Sequence, residues 1–211
     1  GLSLNQANKL YLLSTKFKVK NMVGFNRRYY SIFEKGKKII TSRGKLLGLS
    51  IEGHERAWNK KFNLNNWFFA NSIHTIDLIN YFGGEVKEKS IYTKRYNKLI
   101  SNIALSFIFK SGAIGTYQSF WHSPGGWSVT LYGEGVTVIF KPLENGYYLL
   151  TNSNIPKSIK PDNKDLIYKP GFYKQMKIFE DYIANNKRNV DLQDLKSSFK
   201  TMQLMDKILH T

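Results

Sequence analysis

The chain has 211 residues, with 32 Lys and Arg against 15 Asp and Glu, a formal net charge of +17, 42% hydrophobic residues and no cysteine. That hydrophobic content supports a packed core and excludes wholesale disorder, and the lack of cysteine excludes a disulfide framework, a thiolate metal site and a thiol nucleophile. No apolar run reaches the ~20 residues of a membrane span and no secretory leader is visible, so a cytoplasmic protein with no membrane attachment is expected.

Ser3-Leu4-Asn5-Gln6 opens a first helix, with Ser3 as N-cap and Gln6 at the capping-box position. Ala7, Leu10, Tyr11 and Ser14 trace its inner face. Residues 18–25 read as a short strand, and residues 31–42 as a second helix interrupted by Gly36. This helix–strand–helix order is that of one edge unit of an α/β sheet. The texture changes at Leu46, where a long strand is expected over residues 46–58. A helix around His74 follows and stops at Gly83-Gly84.

Strands are then expected at Val86–Tyr96, residues 101–109 and 113–121, Trp127–Gly133 and Val136–Phe140, with an edge strand at residues 147–151. The glycine-containing turns between them are short, as in antiparallel hairpins. The polar, proline-containing residues 152–169 read as a loop. Phe172–Asn185 and residues 191–209 read as amphipathic helices. The fold class is therefore α+β: a large open, mainly antiparallel sheet with helices on one face. It is preceded by the last helix–strand–helix edge of an α/β domain that is otherwise missing. Residues 1–45 form that edge and residues 46–211 the α+β domain. Both faces of residues 101–109 and 113–121 keep apolar or aromatic side chains, so the open face is expected to join copies of the chain into a homo-oligomer.

Two polar residues stand in the helix Ile73-His74-Thr75-Ile76-Asp77-Leu78-Ile79. His74 and Asp77, three apart, share a face. A histidine on an apolar helix is either a satisfied core residue or a site residue, and the spacing alone favours the core. Arg27 reads equally as a surface ion-pair partner or as a bidentate ligand for a hydroxyl or carboxylate, with Asn26 beside it. Trp121 and Trp127 flank a hairpin turn, either packing it or offering aromatic faces to a ligand. His54 and Glu55 are weaker candidates. The four histidines are scattered without ligand spacing, so no metal is expected. Basic clusters such as Lys35, Lys37 and Lys38 lack any finger, basic zipper or RNP-like motif, which argues against a nucleic-acid reader.

Several motifs, in order, resemble the C-terminal part of the Gfo/Idh/MocA family of nicotinamide-dependent sugar oxidoreductases. Met22-Val23-Gly24-Phe25-Asn26-Arg27-Arg28-Tyr29 resembles that family's V-G-F-x-R-R-[YF], a late strand of its dinucleotide-binding Rossmann domain. Ser72-Ile73-His74-Thr75-Ile76-Asp77-Leu78 resembles its G-x-H-x-[IL]-D-L helix, and Phe109-Lys110-Ser111-Gly112-Ala113-Ile114-Gly115 its strand–turn–strand. Leu131-Tyr132-Gly133-Glu134-Gly135-Val136 resembles its G-x-x-G turn. The resemblance runs from about Leu2 to Met205.

The resemblance implies hydride transfer between NAD or NADP and a sugar or sugar-nucleotide, with His74 as the catalytic proton relay and Asn26, Arg27, Trp121 and Trp127 as substrate-binding residues. Asp77 is read as structural. Family members hold the dinucleotide on G-x-G-x-x-G in an N-terminal domain that ends in E-K-P with a catalytic lysine. Neither motif occurs in this sequence, so the cofactor site is expected mostly outside it and the isolated chain is expected to be inactive. Where the family often has aspartate, four residues before the histidine, this sequence has Ala70. Asn71 and Ser72 are the candidates to supply the lost hydrogen bond. The departure also admits a non-catalytic, ligand-binding or scaffolding relative, and the charge admits a polyanion-binding protein.

Overall fold

A computed structural model describes residues 3–56, 67–96, 99–186 and 188–211. Helix α1 spans Leu4–Lys16, and the Ser3 hydroxyl accepts the Gln6 N–H at 3.2 Å, the expected cap. Residues 18–25 do not form the expected strand. Val23 instead donates its N–H to the Gln193 carbonyl (2.7 Å) and its carbonyl accepts from Gln175 Nε2 (3.1 Å). Among the described residues no strand lies beside this segment, so its backbone groups are satisfied by the C-terminal helical region. A 3-10 turn, Asn26–Tyr29, leads into α2, Ser31–Thr41. A Cβ on Gly36 would lie 2.5 Å from Phe140 Cζ, so the glycine inside this helix is the condition for its close seating on the sheet.

Strand β1, Leu46–Gly53, lies inside an eight-stranded sheet of order β2-β3-β4-β1-β5-β6-β7-β8. The tail of the expected long strand reaches positions outside the described residues. A π-turn, Phe68–Ser72, opens α3, Ile73–Gly83, which ends on Gly84 at φ +81°. The remaining strands are β2 Val86–Tyr96, β3 Leu99–Phe109, β4 Ile114–Phe120, β5 Trp127–Gly133, β6 Val136–Phe140, β7 Gly146–Leu150 and β8 Ser153–Ile159. Only the β1–β4 pair is parallel; the other pairings are antiparallel.

β8 and a short helix α4, Asn163–Ile167, correct the expected loop over residues 152–169. β8 is an edge strand exposed along nearly its whole length. It is held by its ladder to β7, tolerates Pro156 at the edge, and leaves no apolar alternation in the sequence. Helix α5 is Phe172–Asn185. Helix α6 is Leu195–Leu209, four residues shorter at its start than expected because Asp194 caps it, accepting the Ser197 N–H at 2.7 Å.

The helical face of the sheet is the core. Ile103, Leu105 and Phe107 of β3 and Tyr117 of β4 are buried there with Ile76 and Ile79 of α3, Phe33 of α2 and Met205 of α6. On the opposite face Tyr92, Ile108, Ile114, Phe120 and Tyr132 are exposed, and the register aligns Ser106, Thr116, Ser50 and Thr130 in one row between them.

One buried carboxylate joins the site-bearing elements. Asp77, 1% exposed, receives Arg28 Nε on one oxygen and Arg28 Nη2 (2.8 Å) and the Thr201 hydroxyl (2.8 Å) on the other. The 3-10 turn, α3 and α6 meet there, in the structural role expected of Asp77. Removing one member of a buried ion pair leaves an uncompensated charge. Asp77→Ala is expected to lower the unfolding free energy by roughly 3–5 kcal/mol, measured as a fall in the urea midpoint. An unchanged midpoint would remove the clamp from the account.

Candidate active site

The start of α3 is set by a second buried acid. Glu55, just beyond β1, accepts Trp67 Nε1 (3.0 Å), Asn71 Nδ2 (2.9 Å) and the Ser72 hydroxyl (3.0 Å). Burial pushes its carboxyl pKa up, and the donors from Trp67, Ser72 and Asn71 pull against that rise. These bonds fix the π-turn, a feature that concentrates at functional sites. They also consume Asn71 and Ser72. The expectation that either replaces the acid missing at Ala70 is corrected: both are committed to Glu55.

His74 follows on the first turn of α3. Its ring meets the edge of Phe25 at 6.1 Å, and its Nδ1 is buried without a hydrogen-bond partner. Burial, and secondarily the Arg27 charge, lower its pKa from 6.5 to about 4. The imidazole is therefore neutral near pH 7, with its Nδ1 left unpaired. It is not the satisfied core histidine that the spacing favours.

Arg27 gathers the remaining candidates. Its Nη1 donates to Asn26 Oδ1 (2.7 Å), its guanidinium lies 5.1 Å over the Trp127 ring, and its Nε is buried and unpartnered. Asn26 is buried and donates Nδ2 to the Pro170 carbonyl (3.3 Å), which fixes its amide. The structure thus brings Asn26, Arg27 and Trp127 together, with His74 within the field of Arg27. Trp121 is not among them. It is 4% exposed, its Nε1 donates to the Ser119 hydroxyl (3.1 Å) and its ring lies against Phe68. A buried indole with a satisfied N–H offers no face to a sugar, so Trp121 is a core residue.

Of the weaker candidates, Glu55 proves to be the organiser of the π-turn, while His54 stacks on Phe120 at 5.4 Å and accepts the Phe120 N–H. Beside His74 lies a cavity of about 230 Å³ whose walls include Phe25, Phe69, Ala70, Ile73 and Met202. The described residues contain no cluster of three or more metal-binding side chains. They also contain no strand leading through a glycine turn into a helix N-terminus, the unit that cradles a pyrophosphate. No described helix is long and apolar enough to cross a membrane.

No family model matches the sequence, and no curated protein is significantly similar to it. Solved structures do match. A dehydrogenase, MviM, from Clostridium difficile is 20% identical with a TM-score of 0.82, covering 99% of this chain and 67% of its own. The aldose-aldose oxidoreductase of Caulobacter crescentus, complexed with glycerol, is 15% identical with a TM-score of 0.82, covering 100% and 67%. A levoglucosan dehydrogenase, solved with NADH and L-sorbose, is 13% identical with a TM-score of 0.80, covering 100% and 68%. The chain thus has the fold of Gfo/Idh/MocA-type oxidoreductases and spans about two-thirds of their length.

Glu55→Ala leaves three donors at the π-turn without their acceptor. Hydrogen exchange is expected to accelerate at the amides of residues 68–74 and to stay unchanged in the β6–β7 hairpin. Equal acceleration in both, or none in the turn, would contradict the role given to Glu55.

Proposed function

We propose that this chain is the substrate-binding part of a dehydrogenase that transfers hydride between NAD or NADP and a sugar or sugar-nucleotide. The carrying observation is the neutral, unpartnered imidazole of His74, buried beside Arg27 on a fold shared with oxidoreductases. Oxidising an alcohol requires an acceptor for the hydroxyl proton as hydride leaves, and His74 is that acceptor. The nicotinamide, bound by the rest of a longer protein, supplies the hydride acceptor. Arg27 orients substrate oxygens, since its unpartnered Nε is a donor awaiting an acceptor, and Asn26, its amide committed to Pro170 and Arg27, positions that guanidinium rather than touching substrate. Trp127, half-buried under the Arg27 guanidinium, backs the same place.

In this reading residues 1–45 belong to the cofactor domain and residues 46–211 form the substrate domain. The open sheet face seats a second copy, because its row of Ser and Thr flanked by Ile108, Ile114 and Tyr132 suits a large, complementary contact.

A second reading follows from Ala70, which lines the cavity beside His74 and can neither orient the ring nor take its proton. A relative that binds a sugar or scaffolds an assembly without turnover would tolerate that residue.

The full-length protein separates the two. Sugar-dependent reduction of NAD or NADP is expected, and His74→Ala is expected to lower kcat by about 10²–10⁴-fold while sugar binding persists. Sugar binding without any turnover would give the second reading the lead. Light scattering of the same preparation should read a dimer or larger, and a monomer at high concentration would remove the sheet-face contact.

A further inference from the structure

A second cavity, of about 200 Å³, opens on the helical face at the sheet edge and shares no wall residue with the one beside His74. β2 is the first strand of the sheet and forms that edge. Its register sets Lys89 opposite Phe107, whose side chain is buried under the helices, so Lys89 rises on the same face. Across the cavity, Lys200, Gln203 and Lys207 of α6 stand three and four residues apart and share one stripe of that helix. Asn80, near the end of α3, and Glu85 complete the polar wall. The lining thus carries three ammoniums and one carboxylate. That carboxylate is divided, since Glu85 binds Lys110 at 2.9 Å and reaches Lys200 only at 3.8 Å. Among the described residues Lys89 and Lys207 have no acid partner, and the side-chain amides of Asn80 and Gln203 have no hydrogen-bond partner.

A lysine in the last turn of a helix answers the dipole there, which accounts for Lys207. Lys89 stands on a strand and has no such reason. Its ammonium nevertheless lies close to Lys207: burial, and next the Lys207 charge, lower its pKa. Like charges gathered in a concave place cost free energy unless an anion lies between them. We propose that Lys89, Lys200 and Lys207, with the amides of Asn80 and Gln203, bind a phosphate dianion, free or as the monoester of a small molecule. Three ammoniums less one carboxylate leave two positive charges, against the roughly −1.5 to −2 of a phosphomonoester at pH 7. The ammoniums act as point charges, and the amides supply directed donors to its oxygens. The site stands apart from the dehydrogenase reading and needs no turnover. It also lies beside the clamp, since Asn80 is three residues beyond Asp77 on α3 and Lys200 adjoins Thr201 on α6. A phosphate held here fastens the two helices that Asp77 joins.

The test titrates inorganic phosphate, at constant ionic strength, into full-length protein labelled with ¹⁵N-glutamine. The Gln203 side-chain amide is assigned by its loss in Gln203→Met. Phosphate is expected to shift that resonance saturably, and chloride at the same ionic strength to leave it in place. Lys89→Gln and Lys207→Gln should each weaken phosphate by about two- to fivefold, one solvent-exposed charge contact, while Lys89→Arg retains it. Glu85→Gln removes the one acid of the lining and should tighten binding. Lys157→Gln, the same loss of charge on the exposed strand β8, should leave the affinity unchanged. Glucose 6-phosphate separates the sources: binding tighter than inorganic phosphate assigns the site to a phosphorylated small molecule, and equal binding assigns it to phosphate itself. A Gln203 resonance that ignores phosphate, or that moves equally with chloride or with glucose, would overturn the site. So would an equal loss of affinity in Lys157→Gln and Lys89→Gln. Hydride transfer, present or absent, bears only on the dehydrogenase reading.

Discussion

The arrangement of the site depends on the buried carboxylate of Asp77. Two charges taken out of water are tolerated only when geometry and hydrogen bonding are complete, and here Arg28 and Thr201 complete them. The consequence reaches beyond stability. Arg27 and Arg28 are consecutive in a 3-10 turn, whose three residues per turn point neighbouring side chains in different directions. With Arg28 drawn inward to Asp77, Arg27 is turned toward Trp127 and the neighbourhood of His74. One ion pair therefore fixes the position of α3, the seat of α6 and the direction of the guanidinium.

A second acid works on the same helix from its other end. Glu55 holds the π-turn through Trp67, Asn71 and Ser72, while Asp77 holds the middle of α3. Between them stands His74, on a helix pinned at two places and with the Arg27 charge as its electrostatic neighbour. Its own polar atom is left over, and that leftover gives the site its chemical interest.

Much of this was legible in the sequence where pattern and packing agree. The capped first helix, the Gly84 stop and the alternating β3 and β4 follow from local rules that tertiary structure does not override. β8 was not legible, because an exposed edge strand held only by its ladder shows no apolar alternation. The strand expected at residues 18–25 has the right residues and, among the described ones, nothing to pair with. At the site, His74, Asn26, Arg27 and Trp127 were readable as candidates, though their assembly was not. That assembly turns on Arg28 reaching 49 positions along the chain to Asp77. Trp121 and Trp127 look alike in sequence, and only burial separates them.

The account centres on His74 as a buried, neutral base. A folded-state pKa of about 4 against an ordinary 6.5 means that folding favours the uncharged ring. Its contribution to stability is complete above pH 6.5 and is lost as the pH falls toward 4. The most direct measurement is an NMR pH titration of the His74 ring carbon in the full-length protein. The account predicts a midpoint near 4, well below the ordinary value. A midpoint at 6.5 or above would mean that the ring is solvated or paired with an anion, and would contradict the site described here.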